Sequence, residues 1–165
     1  MTGDGAARRQ LAALLRGPGP AGATRVLAVC GPLGVGKSRL LADLTDADAT
    51  GGPRGATREP TAPPVLVLDG VDNEPAAVAA RERSGGVPPG TVVVVAGRRP
   101  VTTWPCWADV PVRTVRLAPW APGPVRALAR DHGVTRPDQV DAVVSLSGGL
   151  PLIAACLCRA LDAGT

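Results

Sequence analysis

The sequence contains no Phe and no Tyr, and only three Trp. A core without those rings must be filled by Val, Leu and Ala, within a hydrophobic fraction of 45% that is large enough to fold on. The same scarcity removes the usual platform for stacked bases. The net charge is +4, yet the basic residues are scattered. Arg8-Arg9, Arg81/Arg83 and Arg98-Arg99 are the clusters, and none is interleaved with aromatics. Nucleic-acid binding through this segment is therefore not expected, and an anionic small ligand suits the balance equally well. Lysine is almost absent: Lys37 is the single one, and every other basic residue is Arg. Long apolar runs are missing too. The longest, Leu150 to Cys158, is too short to span a bilayer. Met1 to Arg9 leads into no apolar region of the length a secretory leader has, so none is expected. Cys30, Cys106, Cys156 and Cys158 lack zinc-ligand spacing, and the one His, His132, is remote from them. They read as reduced thiols in a cytoplasmic protein with no membrane segment.

What is present alternates. The length of 165 residues favours one domain, or one with a small appendage. Arg8 to Leu15 has helical spacing, ended by the Gly/Pro stretch Gly17 to Gly22. Val26 to Cys30 is a short continuous apolar run, as in a strand buried on both faces. Ser38 to Leu44 starts a helix with Leu40, Leu41 and Leu44 inward. Thr50 to Pro64 holds four Pro and three Gly among polar residues and reads as a flexible connection. Val65 to Leu68, Thr91 to Ala96 and Arg113 to Leu117 read as further strands, with a helix over Glu74 to Arg83 and a Trp/Pro loop before the last strand. Helices alone follow: Pro124 to His132, Pro137 to Leu146, and Pro151 to Leu161. This order predicts a parallel α/β sheet with a small helical subdomain.

Three strand ends carry chemistry. Gly31-Pro32-Leu33-Gly34-Val35-Gly36-Lys37-Ser38 matches the Walker A pattern between an apolar strand and an apolar helix. Its glycines let backbone N–H groups wrap a phosphate, and the helix that opens at Lys37, Ser38 and Arg39 adds its positive end. Lys37 would reach the β- and γ-phosphates of ATP, and the Ser38 hydroxyl would ligate Mg²⁺. Asp69, closing the strand VLVLD, is the Walker B candidate beside the loop, where it can hold the magnesium water shell. Asp72 is open between an active-site role and a turn or helix cap. Past Thr91 to Ala96, Arg98 is a candidate to contact the γ-phosphate, with a solvated basic turn as the alternative.

The order GPLGVGKS, VLVLDGVD, VVVVAGRR, VRLAPW and SGGLPLIAACLCRAL resembles the nucleotide-binding core of the STAND class of signal-transduction ATPases, in its NB-ARC (AP-ATPase) branch. The resemblance covers about Arg8 to Leu161. It implies a P-loop NTPase fold with helices on both faces of a parallel sheet. It also implies that Pro151, in Gly149-Leu150-Pro151-Leu152, packs against the adenine of ATP or ADP. The implied division is an α/β domain over 1–119, with an N-terminal helix at 8–16 and a flexible linker at 50–64, and a helical subdomain over 120–165. The chain departs from the family in several places. Residues 39–64 are too few for the strand and helix that the family carries there, so the sheet should be shorter by one edge strand, leaving Val65–Leu68 at the edge. Gly70 stands where a second acid is usual, and Trp120 replaces a Leu. The winged-helix and effector parts of the family lie outside the resemblance.

The expected function is a nucleotide switch in signalling or regulation, with weak or no hydrolysis and with a protein partner or larger signalling assembly. A non-catalytic interaction module that uses nucleotide structurally stands beside it. A small-molecule kinase is a weaker alternative, since no lid-like Arg cluster or acceptor site is visible. A GTPase is disfavoured because no Asn-Lys-x-Asp motif exists.

Overall fold

The computed structural model describes residues 5–17, 23–49 and 63–162, and for 44–49 the backbone alone. The chain divides into two compact units. One comprises Ala7–Gly31 and Lys37–Arg116, and holds the sheet; the other comprises Met1–Ala6, Pro32–Gly36 and Leu117–Thr165, and holds the last three helices.

The sheet unit is α/β, with four strands, all parallel. They are β1 (Arg25–Cys30), β2 (Val65–Leu68), β3 (Val92–Gly97) and β4 (Val112–Arg116), in the order β2-β3-β1-β4. Every residue of β3, and β1 from Val26 onward, is buried, which explains their unbroken Val/Ala/Leu runs. Among the described residues β2 pairs with β3 alone. Most of the expected connection Thr50–Pro64 lies outside the described residues, as does the side chain of Leu44. Pro64 is described, and its carbonyl accepts the Val92 N–H at 2.8 Å.

One face of the sheet, Val26, Ala28, Leu68, Val93 and Val95, packs with α3 (Glu74–Gly85) through Ala77 and Ala80 and with Trp107. The Trp/Pro loop forms two 3-10 turns, Val101–Thr103 and Pro105–Trp107. Trp107 is fully buried, and its indole N–H donates to the Ala77 carbonyl at 3.0 Å. One large ring thus does the filling that absent Phe and Tyr would do elsewhere, and its polar edge is satisfied. Leu27, Val29, Val92 and Val94 alternate onto the opposite face and are equally buried. Helix α2 (Lys37–Ala49) lies against β3. Local signals set the α3 start: the Asn73 side chain accepts the Ala76 N–H at 2.9 Å, with Pro75 in the first turn.

Helix α1 (Gly5–Arg16) ends against β1 by a single side chain. The Arg25 guanidinium donates to the carbonyls of Leu14 (3.2 Å), Leu15 (3.1 Å) and Gly17. Terminal helix carbonyls have no intrahelical donor, and a cation there also meets the negative helix end. Arg25→Met keeps the apolar stem and removes the donors. It is expected to lower stability by about 1–2 kcal/mol, read as the denaturant midpoint. An unchanged midpoint would show that water replaces Arg25 without loss.

In the helical unit α4 (Pro122–Asp131), α5 (Pro137–Ser147) and α6 (Pro151–Asp162) enclose a second core. Trp120, Val125, Ala129, Val134, Val140, Val143, Ala154 and Cys158 form it. Gly148 and Gly149, both left-handed, end α5 and turn the chain into α6. A Cβ on Gly149 would lie 2.4 Å from the Trp120 carbonyl oxygen, and the Gly149 carbonyl accepts the Trp120 N–H at 2.7 Å. Glycine at 149 is therefore demanded by conformation and by contact alike.

Candidate functional site

Gly31 is where the chemistry gathers in the sheet unit. Its N–H donates to the Gly97 carbonyl at 3.3 Å, one step beyond the β1–β3 ladder. Its carbonyl accepts from Lys37 Nζ at 2.8 Å. The lone lysine thus reaches back to the residue that follows β1. Because Gly97 is the partner, Arg98 begins directly beside Gly31 on one flank. On the other flank, β4 places Arg116 in register with Cys30. Burial pushes the Cys30 thiol above its ordinary value, while the Arg116 and Lys37 cations oppose that shift. Two cations, Lys37 and Arg116, therefore act on the end of β1, with the Arg98 backbone leaving the neighbouring strand. The sequence reading missed Arg116. Its sequence signal is weak, since it ends the mixed strand VRTVR, and its position beside β1 follows from pairing across distant segments.

The loop itself reads through the helical unit. Gly34 and Gly36 adopt left-handed φ of +79° and +106°, which side chains resist. Val35 between them is fully buried, and Leu33 is exposed. The Val35 N–H donates to the Pro32 carbonyl at 3.4 Å. The Gly34 carbonyl accepts the N–H of Leu152 at 3.2 Å. That N–H lies in the first turn of α6, where donors have no intrahelical acceptor, so the loop tip satisfies it. Pro151 immediately precedes this contact and is half-buried. A Cβ on Gly34 would press on Leu152 Cβ at 3.1 Å.

Ser38 and Arg39 are exposed in the first turn of α2, the end where three or four N–H groups have no intrahelical partner. Asp69 is exposed at the end of β2, and its Oδ1 accepts the Gly70 N–H at 2.8 Å. In the strand order β3 stands between β2 and β1, so Asp69 ends a strand about 10 Å from β1. All four strands nonetheless run the same way, so Asp69, Arg98, Arg116 and Gly31 leave at one end of the sheet. Among the described residues no cluster of three or more His, Cys, Asp or Glu could hold a metal by protein ligands alone.

Asp72 does not lie apart from Arg98. Its Oδ1 accepts the Arg98 N–H at 2.6 Å, and its Oδ2 pairs with Arg98 Nε at 3.3 Å. The connecting segment follows β3 closely, since the Val71 N–H donates to the Ala96 carbonyl at 2.9 Å. A Cβ on Gly97 would meet the Val71 carbonyl oxygen at 2.2 Å. No helix among the described residues is long and apolar enough to cross a membrane. The chain matches no protein-family model, and no curated protein sequence resembles it closely enough to count as a relative.

Proposed function

We propose that this chain binds an adenine nucleotide through the loop Gly31 to Ser38, as a STAND-type, NB-ARC-like nucleotide switch in signalling or regulation. The observation that carries the reading is the loop's build. A Gly-x-x-x-x-Gly-Lys-Ser segment leaves a central parallel strand, takes two left-handed glycines, returns its lysine to the Gly31 carbonyl and opens a helix. Such a loop offers inward N–H groups, a helix N-terminus and an ammonium to one polyphosphate. It also lies where open parallel sheets bind ligands, outside the carboxyl ends of strands on either side of which the chain turns. Arg98 and Arg116 supply further positive charge at that end. Mg²⁺, arriving with the phosphates, would take the Ser38 hydroxyl, with Asp69 toward its water shell; a cation bound mainly by phosphate and water needs no protein cage. Pro151 is assigned to the adenine on the resemblance, and the bond from Leu152 to the loop tip is consistent with it.

Binding, not turnover, is the proposed role. Cleavage of the γ-phosphate needs an oriented water, and the place after Asp69 is Gly70, which has no side chain. Calorimetric titration with MgATP and MgADP tests the reading. Saturable one-site binding with steady-state hydrolysis well below about 10 per second is expected. No heat with either nucleotide would refute the assignment, and turnover at or above that rate would refute the switch.

A further inference from the structure

We propose that Asp72 is a positioning residue, which grips Arg98 by its main chain and its Nε so that the terminal amino groups face the γ-phosphate. The inference rests on the nucleotide-binding reading above. One carboxylate holds both the N–H of residue 98, at 2.6 Å, and the Nε of the same residue's side chain, at 3.3 Å. The first bond fixes where the Arg98 backbone leaves β3. The second fixes the direction of the guanidinium. A guanidinium held at Nε keeps its two terminal nitrogens for another acceptor, and these carry the forked geometry that suits phosphate oxygens.

The brace is itself anchored. Asp72 cannot drift from Arg98, because Val71 bonds Ala96 and because Gly97 admits the Val71 carbonyl at a distance no Cβ would tolerate. Asp72 is only 27% exposed, whereas Arg98 is 58% exposed. The carboxylate is thus the fixed member and the arginine the member open to a ligand. An unbraced arginine at such exposure would sample many rotamers, and a phosphate would have to order it on binding. The arrangement accounts for Asp72 without making it a substitute for the acid missing at Gly70, since both its oxygens already serve Arg98.

The third phosphate is what distinguishes ATP from ADP, so the readout is the ratio of the two affinities. Asp72→Asn keeps an oxygen for the Arg98 N–H and loses the charge that orients Nε. It should lower MgATP affinity roughly ten-fold, the worth of one charge-assisted hydrogen bond, and leave MgADP affinity and the melting temperature of the nucleotide-free protein unchanged. Arg98→Gln should do the same, and the double variant should be no worse than either single one, because the two act as a unit. An ATP/ADP ratio unchanged in Asp72→Asn would overturn the proposal. So would losses that multiply in the double variant, or an Asp72→Asn effect confined to hydrolysis. A wild-type protein that binds ATP and ADP equally overturns this inference alone, whereas one that binds neither overturns the nucleotide reading beneath it.

Discussion

Lys37→Ala should abolish the thermal stabilisation that ATP confers. A ligand at about 100 times its Kd adds about 2.7 kcal/mol to the folded state. For a chain of this size each kcal/mol moves the melting temperature by about 2–4 °C, so the wild-type shift should be about 5–10 °C. The ammonium that makes this possible has been placed with no competing lysine anywhere in the chain. It rests on the Gly31 carbonyl at 2.8 Å, a weak neutral acceptor that a phosphate oxygen readily replaces. Lys37→Ala leaves that carbonyl at a half-buried position, where water can satisfy it, so the apo protein should melt close to wild type. Lys37→Arg is a stricter version. The planar guanidinium is larger than the compact ammonium and needs a forked acceptor, so it too should lose most of the shift. Scanning calorimetry with and without MgATP decides the matter. An undiminished shift in Lys37→Ala would mean that the nucleotide, if bound, sits elsewhere.

The parts of this site that were legible in the sequence are those made by neighbours along the chain. The loop GPLGVGKS is one such part, because its conformation depends on glycine at two places and on a helix starting at the next residue. Val65–Leu68 is another: a four-residue apolar run between Pro64 and Asp69 has little choice of boundary, and the strand has those bounds. Left unread were relations between segments far apart. Nothing in VLVLDGVD says that a strand from residue 92 onward will intervene between it and β1, since strand order is set by how the crossovers pack. In sequence Asp72 stays open between an active-site role and a cap, because its partner, Arg98, lies 26 residues later and meets it only once β2 and β3 pair. Arg116 was passed over for the same reason. Gly97 is the sharpest case. In sequence it is merely the glycine of a turn, with no unusual φ to betray it, and its need for hydrogen in place of a side chain comes wholly from the Val71 carbonyl beside it.

That dependence makes Gly97→Ala the most damaging small substitution expected in the sheet unit. The new methyl would stand 2.2 Å from the Val71 oxygen and 3.1 Å from its carbonyl carbon. Ordinary contact needs about 1 Å more, and the obstacle is backbone on both sides, so no side-chain rotation relieves it. Either the segment from Gly70 to Asp72 moves off β3 or the end of β3 moves off β1. The first choice breaks the Val71–Ala96 bond and the Asp72 grip on Arg98; the second breaks the Gly31–Gly97 bond just beyond the β1–β3 ladder. Either way a buried backbone group loses its partner on top of the steric strain, and the loss of stability should reach about 3 kcal/mol or more. Gly85→Ala is the matched control. Gly85 is the exposed last residue of α3, with no left-handed φ and nothing within 4 Å of an added Cβ, so the change should be neutral or stabilising by up to about 1 kcal/mol through helix propensity. Denaturant unfolding followed by tryptophan fluorescence in a Trp120→Phe background, where the remaining Trp104 and Trp107 both pack with the sheet, reports on the sheet unit directly. A Gly97→Ala variant within about 0.5 kcal/mol of wild type, the range of an indifferent surface change, would mean that the loop after β2 does not lie against β3. The brace on Arg98 would then fail with it, because Asp72 reaches that arginine only while Val71 stays beside Gly97.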